Sequence, residues 1–534
     1  MTQVDLPHTE FSIRAPRGHG ESVCIPQGPG VSAMWHENAL VLQQASMGDW
    51  GEDLQELRDL ARSEALKAAT AYTSQYRDVD PASCGEAIVG SGHQPQLFHP
   101  GVWFKNFALH SVAEQLQATA LNVIIDNDVC QTTSIKAPSG PATSPHLEVV
   151  AFDQSREGVP FETRQVVDEE AFFSFPRRVR HALSGRVADP LVEEWWRGAR
   201  EVGKWSTNLG QRVAALRHQL EGEWGLETLE VPLSRLCQTE SFCRFAAVLL
   251  GHPGRIQAVY NSALCDYRKA NRVRSRSHPV PALETNGPWV EAPFWVYSKQ
   301  GGARRRLYVR IRGHEVHLGD LVGWEAIIPR RQLASWLRMQ DVDEVIRPRA
   351  LMTTCFLRLI LCQMFLHGIG GAKYDQLTDQ IINRLWGFQP PGYMTLSATL
   401  QLPLEKPNAV PQDIPRLKQA VRDLTYHPED HLDPNHSEHH RQLEWAAEKS
   451  RWIGRPCADY HELRVRHRAI ETANRALNSN LSGKRRELEQ ELEQVRREVR
   501  LSQLLGSREF SVCLFPKDML RQELMRLTAG LSLS

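Results

Sequence analysis

Residues 86–128 read EAIVGSGHQPQLFHPGVWFKNFALHSVAEQLQATALNVIIDND. The apolar piece 86–90 has the composition of a buried strand, and SGHQPQLFHPG, residues 91–101, is a loop signal of glycine, proline and histidine. Residues 102–116 place apolar side chains at helical spacing, and 121–125 is a second strand-like run ending on Asp126, Asn127 and Asp128. Strand, loop, helix, strand is the sequence form of a βαβ unit, whose parallel strands open at their carboxyl ends onto a ligand crevice. The stretch predicts an α/β core with its chemistry at those strand ends.

Working outward, residues 1–50 form a Gly- and Pro-rich leading segment, and 53–72 has the spacing and composition of a helix. Between 145 and 270 the pattern is mixed, with helical segments at 191–201 and 239–250. The runs WVEAPFWVY, RRRLYVRIRG and HEVHLGDLVG then alternate between Gly-containing turns, which predicts an antiparallel β element inserted into the chain. Residues 349–366 read as a helix closing on Gly368-Ile369-Gly370-Gly371, with a second helix over 373–386 and a strand over 393–401. Beyond a Pro- and His-rich connection at 404–440, helices are expected at 438–452, 460–477 and 485–505. Leu488, Leu492, Val495 and Val499 form a narrow apolar seam, as do Ile470, Ala473, Leu477 and Leu481. The turn signal Asn478-Ser479-Asn480 between them predicts two antiparallel arms, too short to stand alone and so packed on a partner arm or a second subunit. A strand-like piece at 509–515 and a last helix return to the core. The expected divisions are 1–80, a core in two parts at 81–283 and 336–425, the insertion at 284–335, a helical domain at 426–505 and a tail at 506–534.

The 534 residues carry 63 Lys+Arg against 63 Asp+Glu, so no overall field attracts a polyanion, and nucleic acid is a poor default partner. At 41% hydrophobic and 24% charged the chain can build a sizeable core. The richest apolar run, 355–365, contains Arg358 and is too short to span a membrane. With no signal-peptide pattern at the start, a cytoplasmic location and small-molecule partners are expected, with neither nucleic acid nor membrane. The ten cysteines include no CxxC pair and read as buried thiols.

Several residues have the chemistry of a site. His93 and His99, with Gly92 and Gly101, sit in a loop at an expected helix N-terminus, where free amides and the dipole attract an anion, and Lys105 adds charge. The same pattern suits a Pro-stiffened loop with two exposed histidines. Asp126 and Asp128 at alternating positions would share a face and hold Mg2+ or an ammonium group; an Asx turn is the other reading. His367, Gly368, Gly370, Gly371, Lys373 and Asp375 lie in a turn between two expected helices, a phosphate cradle or a simple glycine cap. Arg347, Arg349 and Arg358, and Arg272, Arg274 and Arg276 with His278, offer guanidinium forks or a solvated surface. His427, His431, His436, His439 and His440 lack regular metal-ligand spacing.

SGHQPQLFHPGVWFKNFAL resembles the N-terminal motif, of the TGQQ-x-GLF-x-GP type, of the bacillithiol biosynthesis cysteine-adding enzymes. IIDND, HGIGGAKYD and PPGYMTLSATL, with the charged helices and Phe515-Pro516, follow in the same order. The resemblance implies a Rossmann-like core related to class I aminoacyl-tRNA synthetases and nucleotidyltransferases, with insertions and an α-helical coiled coil that pairs subunits into a homodimer. It implies a ligase that adds cysteine to an amino-sugar acceptor, glucosaminyl malate, with ATP and Mg2+ as possible cofactors. The implied catalytic residues are His93, His99, Lys105 and Asp126. Gly92, Gln94, Gly101, Asp128, His367, Gly368, Gly370, Gly371, Lys373, Asp375 and Ser397 would bind the nucleotide. His93 replaces the first glutamine of the family's pair, Gln96 a glycine and Asn127 a histidine, which leaves room for another acceptor. Two alternatives remain open here: an adenylyl- or nucleotidyltransferase acting on another acid or amine, and a non-catalytic dimeric scaffold.

Overall fold

A computed structural model describes residues 12–79, 85–141, 144–273, 280–339, 343–408, 410–479 and 481–533. Arg274, Arg276 and His278 of the basic run, and Asn480 of the expected turn, lie outside the described residues. The chain forms two compact units, Met1–Leu402 with Arg508–Ser534, and Pro403–Ser507.

The first unit is an α/β structure. Its strands, in chain order, are β1 (Glu21–Ile25), β2 (Ile88–His93), β3 (Thr119–Ile124), β4 (Ser134–Ser139), β5 (His146–Ala151), β6 (Leu229–Pro232), β7 (Thr285–Asn286), β8 (Trp289–Ser298), β9 (Arg305–Arg312), β10 (Glu315–Gly319), β11 (Glu325–Pro329), β12 (Glu344–Pro348), β13 (Met364–His367) and β14 (Tyr393–Thr399). The main sheet runs β1-β14-β13-β2-β3-β6. All its neighbours are parallel except β1, which lies antiparallel on β14. Numbered along the chain, the five parallel strands stand in the order 3-2-1-4-5, so the winding reverses between β2 and β13.

All six residues of β3 are buried, as expected of a parallel strand covered on both faces. Leu121 and Val123 face one way, into an apolar cluster with Leu57 and Ala61 of helix Leu54–Thr73. Helix Pro100–Gln115 packs on β2, β3, β13 and β14. That helix is buried nearly all round, through Trp103, Phe104, Phe107, Ala108 and Val112, because the main sheet and helix Lys517–Ala529 both pack against it. Truncating one such side chain to alanine costs about 3–5 kcal/mol for Phe or Trp.

Several expectations change in detail. Ser91, Gly92 and His93 belong to β2 and not to the loop after it. The expected helix 349–366 is divided into helix Ala350–Phe356, a π-turn at Leu357–Leu361 and β13. A continuous apolar run suits a buried parallel strand as well as a buried helix, and periodicity does not separate them. HGIGGAKYD therefore joins a strand to helix Ile369–Trp386, not two helices. The insertion is a sheet ordered β11-β10-β9-β8-β12, and β12 lies beyond the expected boundary at 335. Residues 509–515 contain a 3-10 turn, Val512–Leu514, instead of a strand, although Val512 N donates to Phe98 O at 2.9 Å.

The second unit begins before residue 426 and includes helix Asp413–Tyr426. Helix Ser482–Leu505 packs on that helix, and His439–Gly454 packs on Tyr460–Asn478, which replaces the expected pairing of the last two arms. The seam residues Leu492 and Val499 are buried, as are Leu417 and Leu424 of Asp413–Tyr426. Among the described residues no helix is long and apolar enough to cross a membrane, and the nine described cysteines are all unpaired.

Candidate functional site

The reversal point between β2 and β13 is where the main sheet leaves a crevice at its carboxyl edge. Lys105 lies there, 4% exposed, its Nζ donating to Gly92 O at 2.7 Å. A Cβ placed on Gly368, at the end of β13, would stand 4.0 Å from Lys105 Cδ. Burial, aided by the charge of Arg217, draws the Lys105 pKa down to about 7. His93 ends β2 with its Nδ1 buried and unpartnered, and burial together with Lys105 holds its pKa well below the usual imidazole value.

The start of helix Pro100–Gln115 is not the open anion site its sequence suggests. His99 is the N-cap, and its Nδ1 accepts from Gly101 N at 3.1 Å. Its carbonyl accepts from Val102 N at 3.0 Å and Trp103 N at 3.4 Å, while Pro100 has no N–H. The first-turn amides are therefore satisfied within the chain. Gly101 serves packing, since a Cβ there would lie 2.2 Å from Ala398 O on β14. Gln94 donates to Asp128 Oδ2 at 2.8 Å, tying the ends of β2 and β3 together.

Helix Ile369–Trp386 is the contrary case. Its N-cap, Gly368, supplies no side chain, and the first amide bonded within the helix is Ala372 N to Gly368 O, at 2.9 Å. The amides of Ile369, Gly370 and Gly371 have no partner among the described residues, and both glycines are exposed. Lys373 is half-buried on the same first turn. Behind it, His367 Nε2 lies 2.8 Å from Asp375 Oδ2, and Arg358 Nη1 donates to that oxygen at 2.6 Å.

Asp126 and Asp128 occupy a turn beyond β3, not alternating strand positions. Asp126 accepts from Ser234 N at 2.9 Å and from Ser234 Oγ at 2.5 Å, joining the ends of β3 and β6. Burial and the nearby Glu162 raise its carboxyl to about 7. Asp128 meets Arg304 at 3.0 Å and Val129 N at 2.9 Å besides Gln94. With both carboxylates engaged by different partners, the pair does not fit Mg2+.

The arginines expected as anion forks are likewise engaged. Arg347 grips Glu162 at 2.9 and 2.6 Å. Arg349 pairs with Glu291 at 2.6 Å and lies 4.1 Å over the ring of Trp295. Arg358 belongs to Asp375 and Asp379. The histidines of 427–440 gather no ion site. Among the described residues the group close enough for that is His218, Glu221 and Glu230. Trp103 Nε1 and Asn106 Nδ2 donate to Glu221 at 2.6 and 2.7 Å, Asn122 Nδ2 donates to Glu230 at 2.5 Å, and the cation between the two carboxylates is Arg217. His218 is bonded to Tyr76 and Thr228. This is a buried hydrogen-bonded network with its own positive charge.

One contributor carries no local sequence signal. Arg508, from the returning tail, donates to Ser397 Oγ of β14 at 3.0 Å beside the His99 cap. His99 Nε2 stands 3.7 Å from Glu509. Only folding brings these residues together, so spacing could not reveal them. A cleft of about 1000 Å3 is at the other edge of the sheet, by the amino ends of β3 and β6. None of the expected site residues lines it. Gly92, His93, Lys105, His367 and Gly368 thus gather at the reversal point, with Asp126 and Asp128 on the neighbouring strand end. Neither the protein-family models nor the curated proteins contain a match to the chain.

Proposed function

We propose that the chain is an ATP-dependent carbon–nitrogen ligase, adding cysteine to an amino-sugar acceptor of the glucosaminyl malate kind, on a Rossmann-type core. One observation carries the reading: an uncapped, glycine-bearing helix start lies beside a buried lysine where the strand order 3-2-1-4-5 reverses. Amide formation from a free carboxylate requires activation, and an adenylate supplies it. The phosphates of ATP would take the amides of Ile369, Gly370 and Gly371, whose dipole end favours an anion. Space is open at Gly370, where an added Cβ meets nothing within 4 Å.

Lys105 would gain a proton and an ion pair as the phosphates arrive. His93, held neutral by burial, keeps an N–H for an oxygen of the same group. Asp126, anchored to Ser234, and Asp128, anchored to Arg304, hold the rim in shape without a metal. The helices of Pro403–Ser507 would pair subunits.

The test is mass spectrometry of the protein incubated with ATP, magnesium, cysteine and glucosaminyl malate. AMP, pyrophosphate and a cysteinyl adduct are the expected products; no adduct and no AMP would overturn the assignment. AMP formed with other amines, and not with glucosaminyl malate, would keep the chemistry and change the acceptor.

A further inference from the structure

The carboxyl end of β13 holds groups that phosphate binding leaves unused. His367, Asp375 and Arg358 are 5, 1 and 2% exposed. Asp375 Oδ2 meets His367 Nε2 at 2.8 Å and Arg358 Nη1 at 2.6 Å, and Arg358 Nη2 meets Asp379 Oδ1 at 2.7 Å. An ionised carboxylate only accepts, so Nε2 of His367 carries the proton and Nδ1 the lone pair. Nδ1 makes no hydrogen bond within the described residues. It faces the glycine turn, where a Cβ on Gly371 would lie 2.8 Å away, so glycine at 371 keeps that lone pair uncovered.

The support for His367 is itself a departure from regular structure. Arg358 lies in the π-turn Leu357–Leu361, and such turns occur frequently at functional sites. Its guanidinium also stacks 4.5 Å over the ring of Tyr393, whose centroid is 5.0 Å from that of His367. The imidazole is thus fixed by a carboxylate, a second cation and an aromatic wall, with one nitrogen left open towards the helix start.

We infer that His367 is the general base of the acyl transfer, with Asp375 and Arg358 as the residues that position it. The inference rests on the ligase reading above. The amine nitrogen attacks the acyl carbon of the adenylate and a C–N bond forms. The acyl C–O bond to phosphate breaks, its electron pair leaving with AMP, and Nδ1 of His367 takes the N–H proton. The imidazolium so formed faces the carboxylate of Asp375. Burial alone would raise that carboxyl, but Arg358 and His367 outweigh it and hold it far below the usual range. For His367, burial lowers the pKa, Asp375 opposes, and Arg358 and Lys105 add to the lowering, so the base is free near neutral pH.

The experiment measures AMP formation from pH 5 to 9 for the wild type, His367→Gln, Asp375→Asn and Asp375→Glu, with ATP affinity by calorimetry. General acid–base groups contribute about 100- to 10,000-fold. His367→Gln should lower kcat by about 100-fold or more, abolish the acid limb of the profile and leave the ATP Kd within about threefold. Asp375→Asn should move the limb to lower pH and Asp375→Glu should restore it. Wild-type kcat and limb in His367→Gln would overturn the base, as would ATP affinity falling in step with kcat, the mark of a phosphate ligand. A variant that misfolds is replaced by carbethoxylation of the wild type with peptide mapping. Modification of His367 in step with lost kcat supports the base, and full kcat with His367 modified overturns it. No AMP from the wild type would remove the ligase reading and this base together; AMP formation indifferent to His367 would remove the base alone.

Discussion

Lys105 is the residue on which the site's electrostatics turn. An amine with a folded pKa of about 7 and an ordinary value of 10.5 is protonated in the unfolded chain across that whole interval. The unfolded state then binds more protons, so this group makes the ligand-free protein gain stability as pH rises from about 7 towards 10.5. An anion beside the lysine reverses the desolvation and raises its pKa. Nucleotide binding at pH 8 is therefore expected to take up close to one proton. Calorimetry in buffers of different ionisation enthalpy reads this directly, and a proton count unchanged in Lys105→Met would show that Lys105 is not at the phosphates. The sequence offered Lys105 as added charge at a helix start; what it did not offer was its burial, because a lysine's depth depends on the strands and helices that close over it. His93 and His99 diverge for the same reason. One holds a buried, unpartnered nitrogen and the other caps its own helix.

Two glycine-bearing helix starts face the sheet, and they differ in what the glycine is for. At Gly101 a methyl group would meet the backbone oxygen of Ala398 at 2.2 Å, and backbone cannot swing aside. At Gly370 it would meet nothing. Gly101→Ala should therefore destabilise the protein by about 1–3 kcal/mol, the usual range for overpacking, and Gly370→Ala should leave Tm unchanged. Thermal melts of both variants check the contrast, and equal melting temperatures would contradict it. The βαβ stretch was legible because spacing, glycine and proline agree there. The reach of β2 to His93 was not, since Ser-Gly-His carries no strand propensity and is held by pairing with Asn122, Val123 and Ile124. The apolar run ahead of the glycine turn reads as one helix for a related reason. A helix, a π-turn and a buried strand are all apolar there, and only tertiary packing divides them.

At the scale of the whole molecule, the long-range closure of the first unit decides what can be removed. Its chain leaves after β14 at Leu402 and returns at Arg508, and Arg508 bonds Ser397 at 3.0 Å, so the point of return lies against the strand just left. All the groups at the reversal point come from the first unit, whereas the second buries its own seam through Leu417, Leu424, Leu492 and Val499. The even charge balance of the chain hides this division, because the buried arginines near the crevice are matched by Glu162, Glu291, Asp375 and Asp379. Among the described residues, what remains unmatched at the crevice is local: Lys105, Lys373, the Nδ1 atoms of His93 and His367, and three amides. Replacing 403–507 by a short Gly-Ser linker should give a protein that melts cooperatively and binds ATP with a Kd within about threefold of the full chain. Circular dichroism and calorimetry measure both. A folded product without nucleotide affinity would place part of the binding surface on the helical unit and remove the crevice's claim to be the whole phosphate site.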